Sequence, residues 1–254
     1  TMIELRFRLL TGIIFFGSAA VLGSCQRTWQ ATPKVADTAI VLDSTFTPDA
    51  AAQATIAPYR TQVEAQMNEV IGVAPVALDK GPVESPLGNF ITQLLLKRAE
   101  IAYGRQIDVA VTTNGGLRTP IPQGNIKVGD IFELMPFENE LVVLTVRGET
   151  LQKLFEYAAK RETAPIAGAT YTLDKGIATD IKINGEPLQP NQTYTLVTSD
   201  YLANGGDNMG FLKEAEKYEQ LGIMFRDAIL NHIKALTAAG KPVEAPAKNR
   251  VTVK

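Results

Sequence analysis

The sequence predicts a domain of mixed helix and strand, α+β or mixed α/β, built around one core. Three observations predict it. Runs of β-rich composition, among them Glu140–Arg147, Ile177–Ile183 and Thr193–Thr198, alternate with stretches whose apolar residues recur at three and four. Turn-forming groups, Asp174-Lys175-Gly176 and Asn184-Gly185, separate the later strands as in a meander. The 254 residues, with 45% hydrophobic and 20% charged side chains, suffice for one well-cored domain with a modest appendage.

The N-terminal stretch has the pattern of an export signal. Arg6 and Arg8 precede the apolar run Leu9–Leu22, which is shorter than the ~20 residues that span a bilayer as a helix. Small residues close the run at Gly23 and Ser24, directly before the single cysteine, Cys25. This resembles a bacterial lipoprotein signal. Residues 1–24 are then the signal peptide, Cys25 carries the lipid, and the protein is expected in the bacterial cell envelope, anchored to a membrane and facing the periplasm. Residues 25–47, polar apart from Ala39–Leu42, read as a tether leading into a short edge strand, and 48–254 as the folded domain.

Within that domain, Ile56, Val63, Met67, Val70 and Ile71 predict an amphipathic helix over 48–72, with Pro58 a kink or its first turn and Gly72 its end. Val73–Leu78 is a strand candidate. Ser85-Pro86-Leu87-Gly88 opens a strong helix through Phe90, Ile91, Leu94, Leu95, Arg98 and Ala99. Ile107–Thr112 is a strand running into the turn Asn114-Gly115-Gly116, and Lys127–Met135 leads through Pro136-Phe137-Glu138-Asn139 to the strand Glu140–Arg147. Thr150–Lys160 is helical. After the meander, Tyr201–Gly210 is a glycine-rich loop, Leu221–Leu236 a closing helix and Arg250–Val253 a last strand.

Composition excludes several functions. A net charge of −2 without basic clusters gives no footprint for a nucleic-acid polymer. Phosphate-ester hydrolysis ordinarily needs metal ions held by histidine and carboxylate clusters. One histidine, His232, set among Ile229 and Ile233 on the closing helix, reads as a packing or surface residue. With no further histidine, no free cysteine and no G-x-S-x-G elbow, the chain reads as a binding module without a cofactor of its own.

Three loops can carry that binding on a rigid scaffold. In Thr113–Arg118 the glycines let backbone approach a ligand, and Arg118 offers a planar fork; a tight turn with a surface arginine fits equally well. Phe137 with Asn139, and Tyr201 with Asp207, each place an aromatic ring shortly before a polar side chain. Two such rings can clamp a flat base while Asn139 and Asp207 bond to its edge. Taken alone, Phe137 fits a core aromatic that caps a strand.

The order S-P-L-G-N, N-G-G-L-R, P-F-x-N and Y-L-A-N-G-G-D resembles the C-terminal domain of 5'-nucleotidases, over roughly Pro75 to Leu236. The resemblance implies a single α+β domain with a mixed sheet and packed helices, which holds the nucleoside part of the substrate. It implies that Phe137 and Tyr201 sandwich the base, that Asn139 and Asp207 recognise the substrate, and that Arg118 and Asn114 lie at the same site. The family's metallophosphatase motifs, D-x-H, G-N-H-[DE] and G-H-x-H, have no counterpart here, so divalent metals and hydrolysis are expected of a separately encoded metallophosphatase. The expected role is thus nucleotide catabolism in partnership, with the chain inactive alone. A stand-alone periplasmic nucleoside-binding lipoprotein and a ligand-free structural remnant are the alternatives.

Overall fold

Ser85 starts the central helix by accepting a hydrogen bond from the Gly88 N–H (3.1 Å), with Pro86 in the first turn, where a missing N–H costs nothing. A computed structural model describes residues 47–161, 164–247 and 249–254. The export signal, Cys25, the tether up to residue 46 and the strand at Ala39–Leu42 lie outside the described residues.

The elements in order are α1 (Ala50–Met67), β1 (Val70–Ala74), α2 (Pro86–Tyr103), β2 (Val109–Val111), β3 (Gly124–Lys127), α3 (Val128–Leu134), β4 (Glu140–Arg147), α4 (Gly148–Arg161), β5 (Ile166–Ala167), β6 (Ala169–Asp174), β7 (Ile177–Ile183), β8 (Glu186–Pro187), β9 (Thr193–Ser199), α5 (Asp200–Ala203), β10 (Lys217–Met224), α6 (Phe225–Ala238) and β11 (Val251–Val253). The fold is α+β. A five-stranded mixed sheet, in the order β10-β4-β9-β2-β5, forms its centre, with β2 and β9 parallel and the other neighbours antiparallel. A four-stranded sheet β11-β6-β7-β8 and the pair β1-β3 complete it.

The central sheet is covered on both faces, and β4 shows why its sequence is almost continuously apolar. Leu141 and Val143 point into one core with α2, α3 and α6, while Val142, Leu144 and Val146 point into a second with α4, β6 and β7. None of these five side chains is exposed.

The expected helix over 48–72 is corrected. It ends at Met67, and Val70 and Ile71 belong to β1, because β1 must lie flat on α6: a Cβ on Gly72 would come within 2.6 Å of the Ile233 side chain. The predicted amphipathic face is also corrected, since no residue of α1 is buried, and Pro58 falls inside the helix. The strand candidate Val73–Leu78 reduces to the end of β1 plus an isolated bridge from Leu78 to Ile121. The closing helix expected from Leu221 begins only at Phe225. Residues 217–224 instead form the edge strand β10, with Gly222 at φ +66°. Tyr201–Gly210 holds the short helix α5 and a 3₁₀ turn, and Lys127–Met135 folds as α3.

The segment after α6 closes the structure. Val243 is fully buried and its N–H donates to Val73 O (2.8 Å). Arg250, also buried, donates to Thr92 Oγ1 (2.7 Å), Ile166 O (2.9 Å), Asn89 O (3.3 Å) and Gln93 Oε1 (3.0 Å). β11 then pairs in parallel with β6.

Candidate functional site

β2 and β9 run parallel side by side, so the loops leaving their carboxyl ends emerge together. β4 is antiparallel to β9, with Leu141 opposite Ser199, so the loop entering β4 meets them at the same end. Here lies a cleft of about 500 Å3, lined by Arg118, Phe137, Asn139, Tyr201 and Asp207 together with the threonines at 112 and 113. Three loops far apart in sequence thus deliver five of the six predicted ligand-contacting residues to one place.

Asn114 is the sixth. It does not line the cleft; its Nδ2 donates to Gly81 O (2.9 Å), tying the first loop to the turn before α2, and its Oδ1 is buried without a protein donor. Its neighbour Thr113 does face the cleft, and its hydroxyl donates to Asp207 Oδ2 (2.6 Å). Arg118 Nη1 donates to Gly115 O (3.3 Å), and its guanidinium carbon lies 6.0 Å from the centre of the Phe137 ring.

Phe137 is 41% exposed and Tyr201 50%, which removes the reading of Phe137 as a core aromatic. Tyr201 is built into its own loop. Its hydroxyl donates to Asp207 Oδ1 (3.0 Å) and accepts from the Asp207 N–H (3.3 Å). The ring lies so close over Gly206 that a Cβ there would overlap it. Gly205, Asp207 and Asn208 all have positive φ, which folds the loop back onto the ring. Tyr157 donates to Asp207 O (2.9 Å) from below; burial pushes its phenol above the ordinary value, opposed by Arg161, so it stays a donor.

Asn139 and Asp207 are partly committed to the protein. Asn139 Nδ2 donates to Asp200 Oδ1 (3.0 Å), which also accepts the N–H groups of Tyr201 (2.7 Å) and Glu140 (3.2 Å). Asn139 retains its Oδ1 and its second amide proton, and Asp207 retains unused lone pairs. Sequence reasoning placed Thr113 in a binding loop without giving it a role, and missed Asp200 and Arg226, whose guanidinium reaches the carbonyls behind Phe137. Their partners lie far away in the chain, so no local pattern marks them.

Residues 70–214 match the family model described as "5'-nucleotidase, C-terminal domain", which is more than half of the chain. The chain belongs to this family. The endonuclease YhcR of Bacillus subtilis is 31% identical over 205 residues, 77% of this chain and 16% of that protein. The cell wall protein Lmo0130 of Listeria monocytogenes is 30% identical over 235 residues, covering 82% of this chain and 30% of the relative. The solved 5'-nucleotidase precursor from Thermus thermophilus superposes with a TM-score of 0.69 at 30% identity, over 80% of this chain and 43% of that one. The chain therefore spans less than half the length of each of these relatives.

The cleft of this 5'-nucleotidase C-terminal domain is lined by two carboxylates. Its carboxylates are Asp207, bonded as described, and Glu138, paired with Arg226 (2.7 Å). No group of three or more His, Cys, Asp or Glu gathers among the described residues. His232 lies elsewhere, edge-on to Phe90 with ring centres 5.8 Å apart. Burial, then Arg98 and Lys97, lowers its pKa to about 4, so it is neutral and packed, as a lone histidine usually is.

Proposed function

We propose that the cleft binds a nucleoside or nucleotide, with Phe137 and Tyr201 stacking on the base. One observation carries this reading: two half-exposed aromatic rings from separate loops line one cleft together with an amide, a carboxylate and a guanidinium. Exposed rings cost hydration unless a flat apolar surface covers them, and a base is such a surface with a polar rim. Asn139 Oδ1 and Asp207 then contact that rim, and Arg118 reaches ribose or phosphate. The likeness to the Thermus thermophilus 5'-nucleotidase precursor supports the same ligand class.

Hydrolysis in this proposal comes from a separately encoded metallophosphatase that holds the divalent metals, and the pair acts in nucleotide catabolism. The site is reached in the cell envelope, through a lipid on Cys25. The basic, apolar and small residues before that cysteine support the placement, as does a relative named as a cell wall protein. Among the described residues no helix is long and apolar enough to cross a membrane.

Calorimetric titration of the protein with adenosine and AMP tests the reading. Phe137→Ala should lose about 1–3 kcal/mol of binding, the usual worth of one stacked ring, with its thermal midpoint unchanged because the ring contributes little to the core. Absence of binding by the wild-type chain, or a variant that melts earlier but binds normally when folded, overturns it.

A further inference from the structure

We infer that Arg226, in the first turn of α6, is a positioning residue that holds the loop carrying Phe137 and Asn139 in its binding shape. The inference rests on the ligand reading above. Arg226 lies beyond the family match at 70–214 and is 8% exposed. Its Nη1 donates to Met135 O (3.2 Å) and, by a longer bond, to Phe137 O (3.5 Å), while Nη2 donates to Glu138 Oε1 (2.7 Å). The guanidinium lies over the Phe132 ring, 4.2 Å from its centre. One planar fork thus reaches two carbonyls and a carboxylate of the aromatic loop, which a point charge cannot do.

The loop needs this support. Pro136 removes one of its backbone donors, and the Asn139 carbonyl is taken by the Phe225 N–H (2.8 Å), again from the start of α6. The carbonyls of Met135, Phe137 and Asn139 therefore all depend on two consecutive residues of that helix. Without Arg226, the loop would be fixed only at its far end, by Asn139 and Glu140, and Phe137 would be free to leave the position facing Arg118.

The arrangement is an inefficient way to gain stability. Arg226 Nε is buried with no acceptor in the protein, and the carboxylate partner Glu138 has a side chain 76% exposed. An apolar side chain of similar length, seated on Phe132, would avoid that burial and strand no buried charge. A role in shaping the loop accounts for the arginine where stability does not.

Hydrogen exchange of the full chain, read by mass spectrometry, and titration with adenosine separate the two roles. Arg226→Lys should exchange faster at residues 135–140 while α6 and β4 keep wild-type protection. It should melt within a few degrees of wild type and bind adenosine about tenfold more weakly, the loss expected for a displaced charge-assisted anchor. If Arg226→Lys does not fold, Arg226→Met fills the same space and carries the same two measurements. Unchanged exchange at 135–140, or exchange that rises equally through α6 and β4, overturns the inference. Should the wild-type chain bind neither adenosine nor AMP, the ligand reading falls, and the exchange measurement alone decides the role of Arg226.

Discussion

The two half-exposed aromatic residues of the cleft, Phe137 and Tyr201, are held by opposite means. Phe137 has no polar atom, so its loop is pinned from outside, through backbone carbonyls that reach Arg226 and Phe225. Tyr201 pins itself: its hydroxyl bonds Asp207, and its ring packs on Gly206 of the same loop. Asp200 then joins the two halves, accepting from Asn139 on one side and from the Tyr201 N–H on the other. A ring with a hydroxyl can therefore be oriented locally, whereas a plain phenyl ring needs long-range scaffolding. The Tyr201 arrangement is sensitive to the loop's own sequence. The Phe137 arrangement is sensitive to a helix far along the chain, as the Arg226–Phe137 separation of 89 positions shows.

The sharpest way to break the Tyr201 side is Gly206→Ala. The new methyl would overlap Tyr201 Cε1, so the ring must swing away. Binding of adenosine should fall by about 2–3 kcal/mol, close to the full worth of the ring, while the Phe137 side is undisturbed. Normal affinity in a titration of this variant would show that Tyr201 does not contact the base.

A milder change sharpens the comparison. Stacking alone would make Tyr201→Phe neutral, because the ring is kept. Since the hydroxyl also anchors the ring, this variant should lose about 0.5–1.5 kcal/mol of binding, the net value of one hydrogen bond. Affinity equal to wild type would mean that Gly206 packing alone positions the ring.

A comparably modest effect lies outside both halves. His232 has a folded pKa of about 4, below the usual value of 6.5, so the unfolded chain takes up its proton first as pH falls. The stability contributed by the neutral ring is present above pH 6.5 and is lost progressively towards pH 4. Allowing for the ring's partial exposure, the loss is about 1 kcal/mol. Thermal melts across that range should show the slope, and His232→Gln should flatten it.

Much of this organisation is legible in the sequence. β4 begins and ends where its apolar run does, and Ser85-Pro86 announces the start of α2 because both residues act through bonds inside the first turn. The two aromatic residues and their polar companions are also visible, since each pair is local. What is not legible depends on distant partners. Asp200 is unremarkable until Asn139, 61 positions away, is placed beside it. Asn114 belongs to the right loop but turns towards Gly81, which no spacing predicts. The strand at 217–224 eludes reading because its polarity does not follow its alternating exposure: Tyr218 and Met224 lie on the more exposed side while Glu219 lies on the more buried one. The overlong helix at 48–72 fails for a related reason: apolar residues continue past Met67 in a period that fits a helix, but close packing at Gly72 favours the strand.

The segment from Val243 to Val253 bears on when the protein can fold. Val243 completes the core on α6, the Arg250 guanidinium bonds partners 84 to 161 positions earlier, and β11 adds to a sheet whose other strands are made long before. During synthesis, neither core can be completed until this segment has left the ribosome. The domain would then stay unfinished until residues 243–253 are available to pack. For a chain exported as proposed above, such a delay would keep the domain threadable through a narrow channel until that closing segment has been made.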